Sequence, residues 1–235
     1  MVSEVYNCDC MEYMKGLPDK FFDLAIADPP YGIGVGKKTV FTDGKRHGRS
    51  HAPRSFFEVK DWDDAAPGEE FFSELIRVSR NQVIWGANHF ISRIPFDSSC
   101  WIVWDKENGN NDFADCELAW TSFKSSVRQF RFRWSGMLQG DMSHKEKRIH
   151  PTQKPVALYA WLLKNYGVGC RKIFDPMMGS QSSRIASFKM GYDYYGCELD
   201  ADYFSKGCER FEYECHGVEK LANGMTVTQM SLFDD

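Results

Sequence analysis

The chain is predicted to fold as one α/β domain in which a mostly parallel, twisted sheet is covered by helices on both faces. Three observations lead there. Short runs rich in apolar residues that stop at Asp, Glu or Gly recur at 24–27, 82–85, 171–174 and 192–197, and read as buried strands. Between them lie stretches of helical apolar spacing at 67–80, 155–167 and 182–189, and this alternation is the pattern of parallel strands joined by crossover helices. The 235 residues, 43% of them hydrophobic, suffice to bury one complete core.

Val2 to Cys8 reads as the first strand, and Met11 to Leu17 as a short helix closed by Gly16 and Pro18. Asp9, between them, has the chemistry of a helix cap. The next strand, Leu24 to Ala27, ends at Asp28-Pro29-Pro30-Tyr31-Gly32. Two prolines fix φ and donate no hydrogen bond, so this turn is stiff. It holds a carboxylate, backbone carbonyls and an aromatic ring together. That combination suits a planar group bearing an NH2: Asp28 and the Pro29 carbonyl accept the two amino hydrogens while Tyr31 stacks. Stacking of a base on an aromatic ring contributes roughly 1–3 kcal/mol.

Gly32 to Arg54 follows as a glycine-rich, basic stretch with little periodicity, either a functional loop that closes over a target or a solvated insertion. Residues 67–80 place Phe71, Phe72, Leu75, Ile76 and Val78 on one helical face. Strands are expected at Gln82 to Trp85, Trp101 to Trp104 and Glu117 to Thr121, with a turn at 86–88 and a polar loop at 106–115. In 127–134 the arginines Arg128, Arg131 and Arg133 alternate with Phe130, Phe132 and Trp134, which suits either nucleic acid or an ordinary amphipathic strand. Pro155 begins a helix that Gly167 ends.

Arg171 to Phe174 leads into Asp175-Pro176-Met177-Met178-Gly179-Ser180, a helix from about Ser182 to Lys189, and a strand that closes at Glu198. Strand, glycine turn, helix, strand and acid make a nucleoside-binding arrangement. Glu198 stands 19 positions after Gly179, close to the spacing of about 20 at which an acid reaches ribose hydroxyls. The turn has no lysine of the kind that grips a triphosphate.

Net charge is −4, yet two segments are strongly basic. Residues 37–54 carry Lys37, Lys38, Lys45, Arg46, Arg49 and Arg54 against Asp43; residues 124–148 carry Lys124, Arg128, Arg131, Arg133, Lys145, Lys147 and Arg148 against Asp141 and Glu146. Each sums to +5, so the remainder of the chain holds −14. An acidic body with basic segments fits a localised phosphate-binding face. No apolar run approaches the roughly 18 residues of a membrane span, and no signal peptide is evident. Eight cysteines without a C-x-x-C pair argue against zinc, so no metal is expected, and they suit buried thiols in a reducing cytosol.

Two segments carry a family resemblance. Asp28-Pro29-Pro30-Tyr31 resembles the catalytic turn of the DNA amino-methyltransferases, and His150-Pro151-Thr152-Gln153-Lys154-Pro155 is similar, almost letter for letter, to a second segment of the same enzymes. The resemblance covers about 2–213. With the catalytic turn first and the donor turn last, the chain resembles their circularly rearranged beta class, in a bacterial or phage-infected cytoplasm. It implies a Rossmann-like methyltransferase fold, S-adenosylmethionine as methyl donor, and transfer to adenine N6 of a base flipped out of double-stranded DNA. The catalytic residues would be Asp28, Pro29, Pro30 and Tyr31. Asp9, Lys154, Asp175, Pro176, Met177, Gly179, Ser180, Glu198 and Asp200 would hold the donor, with Lys154 on its carboxylate side. Lys37, Lys38, Arg46, Arg49, Arg128, Arg131, Arg133, Lys145, Lys147 and Arg148 would grip DNA.

Cytosine N4, RNA, and a DNA-binding relative of weakened activity remain as alternatives. Gln181 stands where the family has a second glycine, and a side chain there threatens to narrow the donor pocket. The organisation expected is a domain over 1–220, with basic loops near 32–60 and 105–150, then a polar, disordered tail at 221–235 of a monomer or homodimer. Within the tail, Gln229-Met230-Ser231-Leu232-Phe233 resembles the peptide by which bacterial DNA enzymes dock on the sliding clamp. The central expectation is geometric: strands ending at Asp28 and Asp175, 147 positions apart, lie side by side.

Overall fold

The computed structural model describes residues 1–38, 57–108, 114–135, 138–221 and 224–228. In chain order the regular elements are β1 (Ser3–Asn7), α1 (Cys10–Lys15), β2 (Phe22–Ala27), α2 (Val35–Lys38), α3 (Glu69–Val78), β3 (Ser79–Trp85), β4 (Trp101–Asp105), β5 (Cys116–Thr121), β6 (Arg128–Arg131), β7 (Trp134–Ser135), β8 (Leu138–Gln139), α4 (Val156–Tyr166), β9 (Lys172–Asp175), α5 (Ser182–Lys189), β10 (Asp193–Glu198), α6 (Ala201–His216), β11 (Val218–Lys220) and β12 (Thr226–Thr228). Short 3-10 turns at Ala87–His89 and Ile91–Arg93 follow β3.

Eight strands form one sheet in the order β1-β10-β9-β2-β3-β5-β4-β6. The pairs from β1 across to β3 are parallel, β5 runs antiparallel to both β3 and β4, and β6 closes the edge parallel to β4. This is the mostly parallel α/β fold that the sequence predicts.

Alternation along the central strands explains the burial. Leu24, Ile26, Val83, Trp85, Ile173 and Tyr194 point into one core, together with Leu158, Leu162 and Leu163 of α4. Ala25, Ala27, Ile84, Phe174 and Tyr195 point into the other, with Phe71, Phe72 and Leu75 of α3 and Met14 of α1. Strands buried on both faces read as continuous apolar runs, which is why they were legible.

Three differences from the sequence reading have local causes. The helix expected over 67–80 stops at Val78, because Ser79 is already extended and its hydroxyl bonds back to the Leu75 carbonyl. A four-residue helix, α2, interrupts the stretch expected to lack structure, its first N–H held by the carboxylate of Asp63. The tail does not begin at 221 as an unstructured segment: β12 returns against β11, pairing Val218 with Thr228.

Candidate active site

Two turns meet at the carboxyl edge of the sheet. β2 and β9 pair in parallel with Leu24 opposite Ile173 and Ala25 opposite Phe174, so the strands leading to Asp28 and Asp175 are neighbours, as expected. Sheet order reverses there, with β3 outside β2 and β10 outside β9. In open α/β folds that reversal opens the crevice in which ligands bind.

At the first turn, Asp28 Oδ1 accepts from the Tyr31 hydroxyl at 2.8 Å and from Lys154 Nζ at 2.6 Å. Oδ2 accepts no hydrogen bond among the described residues. The Lys154 ammonium, almost fully buried, also reaches Glu117 Oε2 at 3.0 Å and the Tyr31 hydroxyl at 3.2 Å. Lys106 pairs with the other oxygen of Glu117. Burial pushes the Asp28 carboxyl up, against the pull of Lys154. Burial also opposes charge on Glu117 and Lys154, but there the paired charges win: Glu117 is held down at about 2, and Lys154 is held above the ordinary lysine range.

The turn itself is fixed from below and from the side. The buried Asp63 carboxylate accepts the backbone N–H groups of Tyr31 at 2.7 Å, Gly32 at 3.0 Å and Val35 at 2.8 Å. One face of the Tyr31 ring stacks on the exposed His89, with centroids 5.0 Å apart and planes within 15°. Its edge lies against Gly86, where a Cβ would stand 2.1 Å from Cε1.

At the second turn, Glu198 Oε2 accepts the Gly179 N–H at 2.8 Å and Oε1 accepts the Asp200 N–H at 2.9 Å. A carboxylate offers about four lone-pair positions, so two remain for a ligand's hydroxyls. Gly179 has φ +47°, and a Cβ there would find its nearest neighbour, His150 Cδ2, 3.9 Å away; the turn presents an open edge. Its flank is aromatic. His150 packs edge-on against Tyr203 at 4.2 Å and beside Trp62 at 5.0 Å, and burial holds its imidazole at about 3, hence neutral. A cavity of about 630 Å³ opens beside Lys60, Trp62 and Asp200.

Asp175 is buried behind the turn, where Met177 N–H donates to Oδ1 at 3.1 Å and the Ser183 hydroxyl to Oδ2 at 2.6 Å. Burial pushes its carboxyl up to about 7. Pro176 is buried with it and Met177 is half-buried. Ser180 is buried too, and its carbonyl accepts from Arg210, whose guanidinium also pairs with Glu146 at 2.7 Å.

Gln181 does not narrow the turn. Its backbone is left-handed, at φ 60°, and its fully buried side chain points under α6, donating to the Phe204 carbonyl at 3.2 Å and accepting from Arg184 at 2.9 Å. Gly207 leaves the space it occupies. Asp9 caps α1 through Met11 N–H at 2.7 Å, the role its spacing suggested. Asp200 caps α6 and pairs with Lys60 at 2.7 Å. Lys154, assigned from the resemblance to the donor's carboxylate side, has its ammonium on the half-buried carboxylates of Asp28 and Glu117.

Among the basic residues, Arg128, Arg133, Lys145 and Lys147 are exposed, and Arg131 is exposed beside Asp105 at 3.5 Å. Lys37 pairs with Asp64 at 2.5 Å. Arg148 is not a free surface cation: it packs over Trp134 and donates to the Pro151 carbonyl at 2.6 Å. The backbone of Lys38 is described but not its side chain; Lys45, Arg46, Arg49 and Arg54 and the peptide Gln229 to Phe233 lie outside the described residues.

Asp63, Lys106, Glu117 and His89 were missed from sequence. Each acts through a partner in another segment, and the only local signal was an acid inside a strand that otherwise reads as apolar, at Glu117. Among the described residues, no helix is long and apolar enough to cross a membrane.

Residues 103–207 match the N6/N4 family model described as DNA methylase. The Type II methyltransferase M.HinfI of Haemophilus influenzae is 24% identical over 240 aligned residues, which cover 86% of this chain and 66% of that relative. The "putative DNA modification methylase" TTHA0409 of Thermus thermophilus, complexed with S-adenosyl-L-methionine, superposes with a TM-score of 0.55 at 18% identity over 91% of this chain and 94% of its own. The cytosine-N4-specific PvuII DNA methyltransferase superposes at 0.53 with 11% identity, over 90% and 87%.

Proposed function

We propose that this chain, which is similar to the N6/N4 DNA amino-methyltransferases, transfers a methyl group from S-adenosylmethionine to adenine N6 of a base flipped out of duplex DNA. The observation that carries the reading is the adjacency of the two turns, one rich in amine acceptors and one shaped for a nucleoside, across the β2–β9 pair. The donor supplies an electrophilic methyl on a sulfonium; the protein has to bind, orient and exclude water. The open edge at Gly179 and the two unfilled acceptor positions of Glu198 fit its amino-acid end and its ribose, with Asp9 and Asp200 on the flanking strand ends. Asp175, Pro176, Met177 and Ser180 build that turn from behind rather than line it.

Flipping a base costs a few kcal/mol, which the pocket returns through hydrogen bonds and stacking. Asp28 and the Pro29 carbonyl accept the amino hydrogens, Pro30 keeps the turn rigid, and Tyr31 provides the flat surface. Those bonds favour a tetrahedral nitrogen whose lone pair is free to attack. Bound S-adenosylmethionine would supply a methyl whose C–S bonding pair stays on sulfur while the amine's lone pair makes the new N–C bond. Asp28 and the Pro29 carbonyl hold the amine's hydrogens, and the excess proton would pass along the hydrogen bond to Asp28. Since the donor's charge is lost in the step, positioning contributes most of the acceleration. Arg128, Arg131, Arg133, Lys145 and Lys147 are exposed cations that would meet phosphates; Lys37, Lys38, Arg46 and Arg49 belong to the other basic segment.

Mass analysis of nucleosides from duplex DNA incubated with the protein and methyl-labelled donor tests the reading. Labelled N6-methyladenine is expected. Labelled N4-methylcytosine would replace the base assignment while keeping the chemistry, and no labelled nucleoside with any duplex or RNA would remove it.

A further inference from the structure

Four charged side chains from four separate segments converge behind the catalytic turn: Asp28 after β2, Lys154 before α4, Glu117 on β5 and Lys106 after β4. Their charges sum to zero in a site where an unpaired ion is costly. The hydrogen bonds are unevenly spread. Lys154 and the Tyr31 hydroxyl both bond Oδ1 of Asp28, while Oδ2 takes none among the described residues. All three N–H donors of Lys154 are accounted for by Asp28, Glu117 and the Tyr31 hydroxyl.

We infer that Lys154 is a positioning residue for methyl transfer: it grips one oxygen of Asp28, turns the other toward the target amine, and is itself held in place by Glu117 and Lys106. The inference deepens the proposed function and rests on it. It reassigns Lys154 from the donor to the acceptor half of the site. Among the described residues, the charged or titratable groups that face Asp28 are Lys154, Glu117 and the Tyr31 hydroxyl directly, with Asp175 and Tyr159 near enough to feel its charge. Removing the cation leaves Asp28 desolvated beside other acids and favours its protonated form. Removing Glu117 leaves Lys154 wholly to Asp28 and favours the ionised form.

The test measures kcat/KM for DNA methylation from pH 4.5 to 9, with donor affinity by calorimetry, in Lys154→Met, Lys154→Arg and Glu117→Gln. Lys154→Met is expected to lower kcat about 100-fold, as a misplaced reacting group does. Its acidic limb should move up by about one pH unit or more, the usual effect of losing a nearby opposite charge, with donor affinity within about twofold. Lys154→Arg should restore the limb and much of the rate. Glu117→Gln should move the limb the opposite way, and carries the test if Lys154→Met does not fold. Opposite shifts are not what a merely structural role produces. Limbs that stay put in both variants, or donor affinity lost in step with activity in Lys154→Met, overturn the inference. If the wild-type protein methylates no base, the proposed function fails first; an active wild type with unmoved limbs refutes this inference alone.

Discussion

Gly86→Ala tests how tightly the turn from Asp28 to Tyr31 is placed. Gly86 has φ +68°, and a Cβ built there stands 2.1 Å from Cε1 and 2.4 Å from Cζ of Tyr31. Ordinary carbon contacts lie near 3.5–4.0 Å, so the ring must retreat by about 1.5 Å or the backbone must yield. Either movement separates the Tyr31 hydroxyl from Asp28, now 2.8 Å away, and the ring from His89, now 5.0 Å between centroids. The left-handed backbone adds roughly 1–2 kcal/mol. Gly191 separates the two costs, since it has φ +80° and nothing within 4 Å of a Cβ, on the turn between α5 and β10. Gly191→Ala should lose the backbone increment alone, about 2–8 °C in melting temperature, with methylation unchanged. Gly86→Ala should lose somewhat more stability and about 100-fold in kcat/KM, the cost of displacing a reacting group by an ångström. Methylation kinetics and thermal melts of the two variants decide it. Wild-type kcat/KM in Gly86→Ala would refute the claim that Tyr31 is held where it must act.

Three further outcomes follow from the same contacts. Asp175 titrates at about 7 when folded and near 3.8 as an ordinary carboxyl, so the folded chain keeps a proton that the unfolded chain releases between those values. Its contribution therefore declines as pH rises from about 4 to 7, by up to about 4 kcal/mol, and is flat above; urea melts of Asp175→Asn should gain on wild type across that window, and parallel curves would contradict the burial argument. Gln181→Gly should leave donor affinity within about twofold, because the side chain lies under α6; a tenfold gain in calorimetry would mean that it does intrude. Arg210→Met removes the buried partner of the half-buried Glu146 carboxylate, and should cost about 3 kcal/mol in urea melts, part of it recovered by adding Glu146→Gln.

What could be read from the sequence was whatever a short segment decides for itself. The strands at 22–27 and 172–175 are marked by apolar runs ending at Asp-Pro, and a residue pair such as Asp28 and Gly179 is obvious because prolines and glycines advertise their turns. Adjacency of β2 and β9 was also within reach, since parallel α/β topology leaves few places for two loops of that kind. What stayed hidden depends on partners distant in the chain. Glu117 looks like a stray acid in a strand until Lys154 and Lys106 arrive. Asp63 is one of several acids between 61 and 64, and only the fold selects it to hold the Tyr31 backbone. Gln181 shows the limit from the other side: departure from the glycine of the resembled family warned of a blocked pocket, but a side chain's direction is set by its φ and by the room that Gly207 leaves.

The proposed function gives the two neighbouring turns separate jobs, one presenting the amine and the other the methyl donor. Calorimetry of Asp28→Ala with S-adenosylmethionine, run beside methylation of duplex DNA, separates them most directly. Donor affinity should stay within about twofold of wild type while labelled methyl transfer disappears, a loss of a reacting interaction without loss of ground-state binding. Methyl transfer that persists at the wild-type rate would contradict the assignment of Asp28, and donor binding lost in a variant that still melts like wild type would contradict the division between the turns.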